Sequence, residues 1–96
     1  MKITVHMFAF MNGKTREVKV PDQVLVGTTD HKLNQIYYYG QNDFHPSDMC
    51  SVSMGDIIEY DGELYLNKMI GFEKMTKGQF DLFKDLTSSE RLALLF

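Results

Sequence analysis

The side chains of residues 2–10 divide between two largely apolar faces at every second position, which is the period of a β-strand. The segment from Lys2 to Phe10 places one face of such a strand at Ile3, Val5, Met7 and Ala9. Asn12-Gly13 follows, and because both residues tolerate positive φ the pair favours a tight hairpin turn. The chain then returns from Thr15 to Val20, with one side formed by Arg16, Val18 and Val20. We predict an opening β-hairpin.

The period changes to that of a helix after residue 27. Thr28-Thr29-Asp30 offers side-chain oxygens that cap a helix running to about Tyr39, and Gly40 is a natural stop. Apolar side chains follow at i, i+3 and i+4, at positions Leu33, Ile36 and Tyr37. We expect this stripe to pack on the sheet.

The second half predicts another hairpin followed by two short helices. Asp61-Gly62 joins a strand at residues 57–60 to one at 63–70, and Gly71 to Met75 predicts a bulge and a short last strand. Two later segments have capping-box spacing, Thr76 to Gln79 and Thr87 to Glu90. The helices that they begin carry the apolar residues Phe80, Phe83 and Leu86, then Leu92, Leu95 and Phe96.

This order of elements predicts an α+β fold in a single domain over residues 1–96. Tight turns join antiparallel neighbours, so we expect a small antiparallel sheet of about four to five strands containing two hairpins. One central helix and two short C-terminal helices pack with it.

Composition narrows the class of protein. Ninety-six residues, 44% hydrophobic and 24% charged, fit one ordinary globular domain. A net charge of -3 argues against direct nucleic-acid binding, which normally needs a clustered basic surplus. Without a membrane-spanning run or a signal peptide, and with Cys50 as the single cysteine, the sequence predicts a cytoplasmic protein without an internal disulfide.

The connection from Gly40 to Ser51 collects chemically active side chains without a known pattern. Its carboxylates, imidazole and thiol suit zinc by type, but their spacing matches no common site, so we predict no metal and no cofactor. A nucleophilic Cys50 would need His45 as its base, and recognised catalytic motifs are absent from the sequence. We expect no enzymatic activity and assign no catalytic residue.

Three consecutive tyrosines, at positions 37–39, stand out within the predicted helix. Successive helical residues step by about 100°, so the three rings cannot all enter one core. At least one ring should reach the surface. The triplet could pack under the following connection, form a subunit or partner interface, or provide a platform for a ligand.

The excess of acidic over basic residues is confined to the second half of the chain. Residues 1–48 hold five basic and five acidic side chains, whereas residues 49–96 hold five and eight. Asp56, Glu59, Asp61 and Glu63 fall close together in this half. These carboxylates form either a solvated acidic edge that discourages aggregation of strands or an acidic surface that binds a basic partner.

The stretch from Tyr39 to Phe72 resembles YodL-like domains, a loose family of small domains from phages and mobile elements. The resemblance is carried by Asn42-Asp43 with Pro46, by the Ser-x-Ser-x-Gly-Asp box at residues 51–56, and by Ile57-Ile58, Asp61-Gly62, Tyr65 and Gly71-Phe72. Members often carry a histidine where this chain has Cys50. The resemblance implies a phage or plasmid accessory protein that acts on host physiology or immunity.

We therefore interpret the chain as a non-enzymatic phage or mobile-element protein in the host cytosol that sequesters a host target and counters host immunity. A homo-oligomer is expected. In one version an acidic, tyrosine-rich patch engages a host protein. In the alternative, the chain is a sponge for a nucleotide-like signalling molecule at a subunit interface. A third interpretation is a small hydrolase that uses His45, Asp48 or Cys50. The candidate binding residues are Lys32, Tyr37, Tyr38, Tyr39, Asn42, Asp43, Phe44, His45, Asp48, Ser51 and Ser53.

Overall fold

The computed structural model describes residues 1–41 and 50–96, in which five strands form one antiparallel sheet that packs with three α-helices. The strands are β1 Lys2–Met7, β2 Lys14–Lys19, β3 Ile57–Tyr60, β4 Glu63–Asn67 and β5 Phe72–Met75. The helices are α1 Thr29–Tyr39, α2 Lys77–Asp85 and α3 Ser88–Ala93. The order across the sheet is β2-β1-β3-β4-β5, so the predicted α+β class is confirmed.

The two predicted hairpin turns form as expected. Asn12 and Gly13 have φ of 53° and 84°, and Asp61 and Gly62 have φ of 52° and 77°. A third turn joins β4 to β5, and there Gly71 has φ of 72°. The predicted bulge at Gly71 is therefore a turn, closed by a hydrogen bond from the Lys68 amide to the Gly71 carbonyl at 3.0 Å.

The sheet is buried on both faces, so the molecule has three layers. One face packs against α1, and its core includes Val5, Val18, Ile58, Leu33 and Ile36. The other face packs against α2 and the residues after α3, and its core is Ile57, Leu66, Met75, Phe80, Phe83 and Leu95. The side chains of β1 accordingly contact both layers, with Val5 towards α1 and the His6 ring against Phe80 of α2 at 4.8 Å between centroids.

Helix α1 begins and ends where the sequence predicts, but its buried stripe differs. The Thr28 hydroxyl accepts a hydrogen bond from the His31 amide at 3.1 Å. Leu33 and Ile36 are buried, whereas Tyr37 is exposed and Tyr39 packs against the core. The prediction that Tyr37 completes the stripe was wrong.

Both capping boxes are present at the starts of α2 and α3, as predicted. Of the three apolar residues assigned to the last helix, Leu95 is buried, whereas Leu92 and Phe96 are exposed. Helix α3 has six residues, and the chain beyond it is held by a hydrogen bond from the Met69 amide to the Leu95 carbonyl at 2.8 Å. This short helix therefore leaves apolar side chains at the surface.

Candidate functional site

The tyrosine triplet is divided between core and surface. Tyr39 is partly buried, whereas Tyr37 and Tyr38 are 37% and 55% exposed. The Tyr38 and Tyr39 rings contact each other edge to face, with centroids 5.2 Å apart. The expectation that at least one ring reaches the surface is confirmed for two of the three.

Tyr37 lines a shallow pocket of about 250 Å³ between α1 and the turn from β4 to β5. The side chains around it are mostly uncharged, and its lining includes Asn34, Met54, Asn67, Met69 and Phe72. Lys68 also lines it, but its ammonium pairs with the Glu73 carboxylate at 2.8 Å. We call the pocket residues Tyr37, Met54, Met69 and Phe72, together with the exposed Tyr38 that follows Tyr37 in α1, the tyrosine surface.

The side chains of the Ser-x-Ser-x-Gly-Asp box form hydrogen bonds with backbone groups. Ser51 and Ser53 lie outside any strand. The Ser53 hydroxyl donates to the Ser51 carbonyl at 3.2 Å, and the Ser53 amide donates to the Asp56 carboxylate at 2.8 Å. The other Asp56 oxygen accepts the Ala9 amide at 2.9 Å. The box thus joins the chain before β3 to the chain after β1.

Asp56 is fully buried, and this burial raises the pKa of its carboxyl group. Hydrogen bonds from the amides of Ala9, Ser53 and Phe8 and the charge of Arg16 act in the opposite direction. The bond to Ala9 also explains why β1 ends at Met7 rather than at Phe10, since that amide points to Asp56 and not to a neighbouring strand.

Arg16 is the residue that sequence reasoning missed. Its side chain is 2% exposed, and one guanidinium nitrogen donates to the carbonyls of Gly40, at 2.9 Å, and Cys50. Its Nε and second terminal nitrogen find no hydrogen-bond partner among the described residues. Burial lowers the pKa of this guanidinium, while the charges of Cys50 and Asp56 oppose the shift. The sequence feature that could have revealed its burial is its position on the same side of β2 as Val18 and Val20.

The two ends of the connection from Gly40 to Cys50 therefore meet over the sheet. The Val52 amide donates to the Gly40 carbonyl at 3.0 Å, and the Gln41 side chain donates to the Tyr37 and Val52 carbonyls. The structure thus brings the end of α1 and the serine box together. The predicted site residues Asn42, Asp43, Phe44, His45 and Asp48 lie outside the described residues.

Lys32 does not belong with the exposed tyrosines. It lies seven residues before Tyr39, so the two share one side of α1 about 10 Å apart along its axis. Tyr37 and Tyr38 point more than 100° away from it. Helix geometry therefore separates the candidate binding residue Lys32 from these two exposed rings.

Three of the clustered acidic residues, Glu59, Asp61 and Glu63, lie at the other end of the sheet from the tyrosine surface. Antiparallel pairing puts the β3–β4 turn, at Asp61, and the β4–β5 turn, at Gly71, at opposite ends of the sheet. Glu59 and Glu63 belong to the Asp61 end, where they pair with His6 at 3.3 Å and with Lys74 at 3.4 Å. Tyr37 lines its pocket at the Gly71 end. The expected patch that is both acidic and tyrosine-rich does not form from these residues.

The structure describes only some of the residues that the metal and hydrolase interpretations involve. Within residues 1–41 and 50–96, no group of three or more potential metal ligands is assembled. Of the three residues in the hydrolase interpretation, Cys50 alone is described, and its carbonyl accepts a hydrogen bond from Arg16.

A second apolar surface was not predicted. Leu82, Leu94 and Phe96 line a groove of about 580 Å³ between α2 and the residues after α3, and all three are exposed. On the other side of α3, Leu92 and Phe10 line a pocket of about 350 Å³. We call Leu82, Leu94 and Phe96 the α2–α3 surface. In the sequence, Leu82 and Leu94 lie off the predicted stripes.

No α-helix in the described segments has both the length and the apolar character needed to cross a membrane. Comparisons with protein-family models, with curated proteins and with solved structures give no match to this chain.

Proposed function

We propose that this chain is a small binding domain without enzymatic activity and that it engages a protein partner through the tyrosine surface. One observation carries the proposal: the exposed Tyr37, which the exposed Tyr38 follows in α1, lines a pocket together with Met54, Met69 and Phe72. Tyrosine, methionine and phenylalanine are enriched at the centres of protein interfaces. Methionine also adapts its shape to different partners.

The pocket favours a protein over a nucleotide. Its volume of about 250 Å³ lies below the range of roughly 300–1,000 Å³ typical of small-molecule sites. Its lysine is already paired with Glu73, and Lys32 points elsewhere on α1. A phosphate placed here would lack an unpaired cation from the described residues that surround it.

The resemblance to YodL-like domains supplies the expected context for this partner. A phage or mobile-element protein that sequesters a host protein, and so opposes host immunity, needs a surface that binds tightly and no catalytic centre. The tyrosine surface meets that need with rigid aromatic anchors beside flexible methionines.

Position-specific photo-cross-linking in bacterial cells tests the proposal. A photoreactive amino acid at Tyr38 or Met69 should give the same discrete adduct with one cellular protein. The matched control is Glu17, an exposed residue of the edge strand β2 whose side chain lies on the sheet face away from α1. Adducts of equal intensity from all three positions, or none from Tyr38 and Met69, would contradict a specific surface.

The affinity of the chain for the purified partner is then measured for each variant. Tyr38→Ala should raise the Kd about tenfold or more, as for an interface hot spot, while Glu17→Ala should leave it unchanged. A thermal-shift screen separates the alternative function. If nucleotides raise the Tm and Tyr38→Ala abolishes that shift, the nucleotide sponge replaces the protein partner.

A further inference from the structure

A pocket on one side of α3 has the size and the lining of a small-molecule site. It lies between residues 8–10, which follow β1, the chain before β3, and α3 itself, and its volume is about 350 Å³. Small-molecule sites are mostly apolar and typically measure roughly 300–1,000 Å³. The apolar lining residues are Phe8, Ala9, Phe10, Met54, Leu92 and Leu95. We call this cavity the Arg91 pocket, after the charged residue of its lining.

Hydrogen bonds of the backbone hold the walls of the Arg91 pocket in place. The Ala9 amide donates to the Asp56 carboxylate at 2.9 Å, and the Gly55 amide donates to the Asn67 carbonyl at 2.7 Å. The buried Leu95 belongs to the core between the sheet and α2. The pocket is therefore formed by the fold itself, as ligand sites usually are.

The guanidinium of Arg91 is positioned at the pocket but keeps its charge. It donates to the carbonyls of Phe83 and Lys84, both at 3.0 Å, and lies over the Phe8 ring at 4.8 Å from the centroid. None of the ion pairs among the described residues includes Arg91. A guanidinium has more N–H donors than two carbonyls use, so donors remain for a ligand.

The charge and the lining together define the class of ligand. A cationic ligand is repelled by a guanidinium that no carboxylate neutralises. A carboxylate is attracted to it and accepts charge-assisted hydrogen bonds from arginine. The other polar side chain of the lining is the Ser88 hydroxyl, which can donate to the same anion. Since the rest of the lining is apolar, the pocket suits a molecule with one carboxylate on an apolar chain or ring.

We propose that the Arg91 pocket binds a small apolar carboxylate, with its anionic group at Arg91 and its apolar part against Phe8, Phe10 and Leu92. Binding covers Phe10 and Leu92, which are 72% and 52% exposed. The site is additional to the protein partner at the tyrosine surface. Met54 lines both pockets, so the variants that test the carboxylate site leave Met54 unchanged.

Titration of the isotopically labelled chain with octanoate, followed by amide chemical shifts, tests the proposal. Octanoate should shift the amide resonances of Ala9, Gly55 and Leu92 saturably, with a Kd on the order of 1 mM or below. Octylammonium has the same chain and the opposite charge, and it should bind at least about tenfold more weakly. Acetate, which lacks the apolar chain, should not saturate these shifts.

Two neighbouring leucines of the last helical segment give a matched pair of variants. Leu92→Glu should abolish octanoate binding, because it places a like charge where the apolar chain lies. Leu94→Glu should bind octanoate as the unmodified chain does, since Leu94 lines the groove on the other side of α3. Both leucines are exposed, so both variants should fold. Arg91→Gln should raise the Kd about tenfold or more.

Far-ultraviolet circular dichroism shows which variants are folded. If Arg91→Gln is unfolded, the comparison of octanoate with octylammonium decides the role of the charge. Octanoate that gives no saturable shifts overturns the proposal, and so does equal affinity for octylammonium. Binding that survives Leu92→Glu also overturns it, because octanoate then binds elsewhere. These outcomes leave the tyrosine surface unaffected, since the cross-linking at Tyr38 tests that surface separately.

Discussion

Asp56 links two parts of the chain that are distant in sequence. Its carboxylate accepts the amides of Ala9 and Ser53, and it is buried beneath them. Burial raises its pKa above the ordinary value of 3.8, so the folded state holds this proton more tightly than the unfolded state does. The contribution of Asp56 to stability is therefore greatest in acid. It is lost as the pH rises from 3.8 through the higher pKa of the folded state.

We expect this dependence in urea denaturation of the unmodified chain and of Asp56→Asn between pH 3 and pH 7. The free energy of unfolding of the unmodified chain minus that of Asp56→Asn should fall as the pH rises from about 3 and then become constant. Other carboxylates titrate in both proteins and cancel in the difference. A difference that grows with pH would mean that the amide hydrogen bonds outweigh burial and that the pKa is lowered.

Gly40 is required by space and not by backbone conformation. Its φ is -80°, which any residue can adopt, but a Cβ there would overlap the Val52 Cγ2 methyl group and lie 3.0 Å from the Val52 Cβ. Gly40→Ala should therefore lower the free energy of unfolding by about 1–3 kcal/mol, as overpacking of a core does. Chemical denaturation measures this change.

Two further variants act as controls for Gly40→Ala. Val52→Ala removes the obstructing methyl groups, so Gly40→Ala should cost less in that background than in the unmodified chain. Gly78→Ala lies on α2 in open space and should stabilise by a few tenths of a kcal/mol through helix propensity. Equal losses from Gly40→Ala in both backgrounds would show that Val52 is not the cause.

Helices α2 and α3 begin with the same capping box built from different chemistry. Thr76 pairs with Gln79, which does not titrate, whereas Thr87 pairs with the carboxylate of Glu90. The hydrogen bonds from Thr87 hold the pKa of Glu90 below its ordinary value of 4.5. A lowered pKa means that the stabilising bond exists above pH 4.5 and is lost as the pH falls through the folded-state value.

Helix α3 should therefore lose its capping box in acid, while the box of α2 persists. Cα chemical shifts of residues 88–90 should move towards coil values on acidification from pH 7 to pH 3, and those of residues 77–79 should change less. The comparison is limited to these first turns because Asp81, which pairs with Lys77 and Lys84, also titrates within α2. Glu90→Gln keeps the box and removes the titration, so it should flatten the response of α3. Parallel loss of both helices would instead indicate global acid unfolding.

Local signals made most of the elements predictable. Asn12-Gly13 and Asp61-Gly62 determine their turns through positive φ, and Thr28, Thr76 and Thr87 cap their helices through contacts three residues away. Exposure was harder to predict, because it depends on what another element covers. Helical spacing alone could not show that Leu92 and Phe96 stay at the surface.

At the scale of the whole molecule, strand order decides which residues meet. Glu59 and Tyr37 lie apart. Glu59 is next to the β3–β4 turn, whereas Tyr37 lines a pocket beside the β4–β5 turn at the opposite end of the sheet. The same order brings β2 beside β1 and lets Arg16 reach Gly40 and Cys50. Such contacts join residues 24 and 34 positions apart, which a periodic pattern cannot register.

Arg16 also has a consequence for how this scaffold can change. Its guanidinium, which extends from β2, donates hydrogen bonds to the carbonyls of Gly40 and Cys50. The residues at both junctions, where the intervening segment begins and ends, are therefore bonded to the core. Doubling the length of a chain segment between fixed ends costs only about 0.6 kcal/mol in closure entropy. The position between these junctions is thus a place where sequence of new length and specificity can be grafted while α1 and the sheet keep their relative positions.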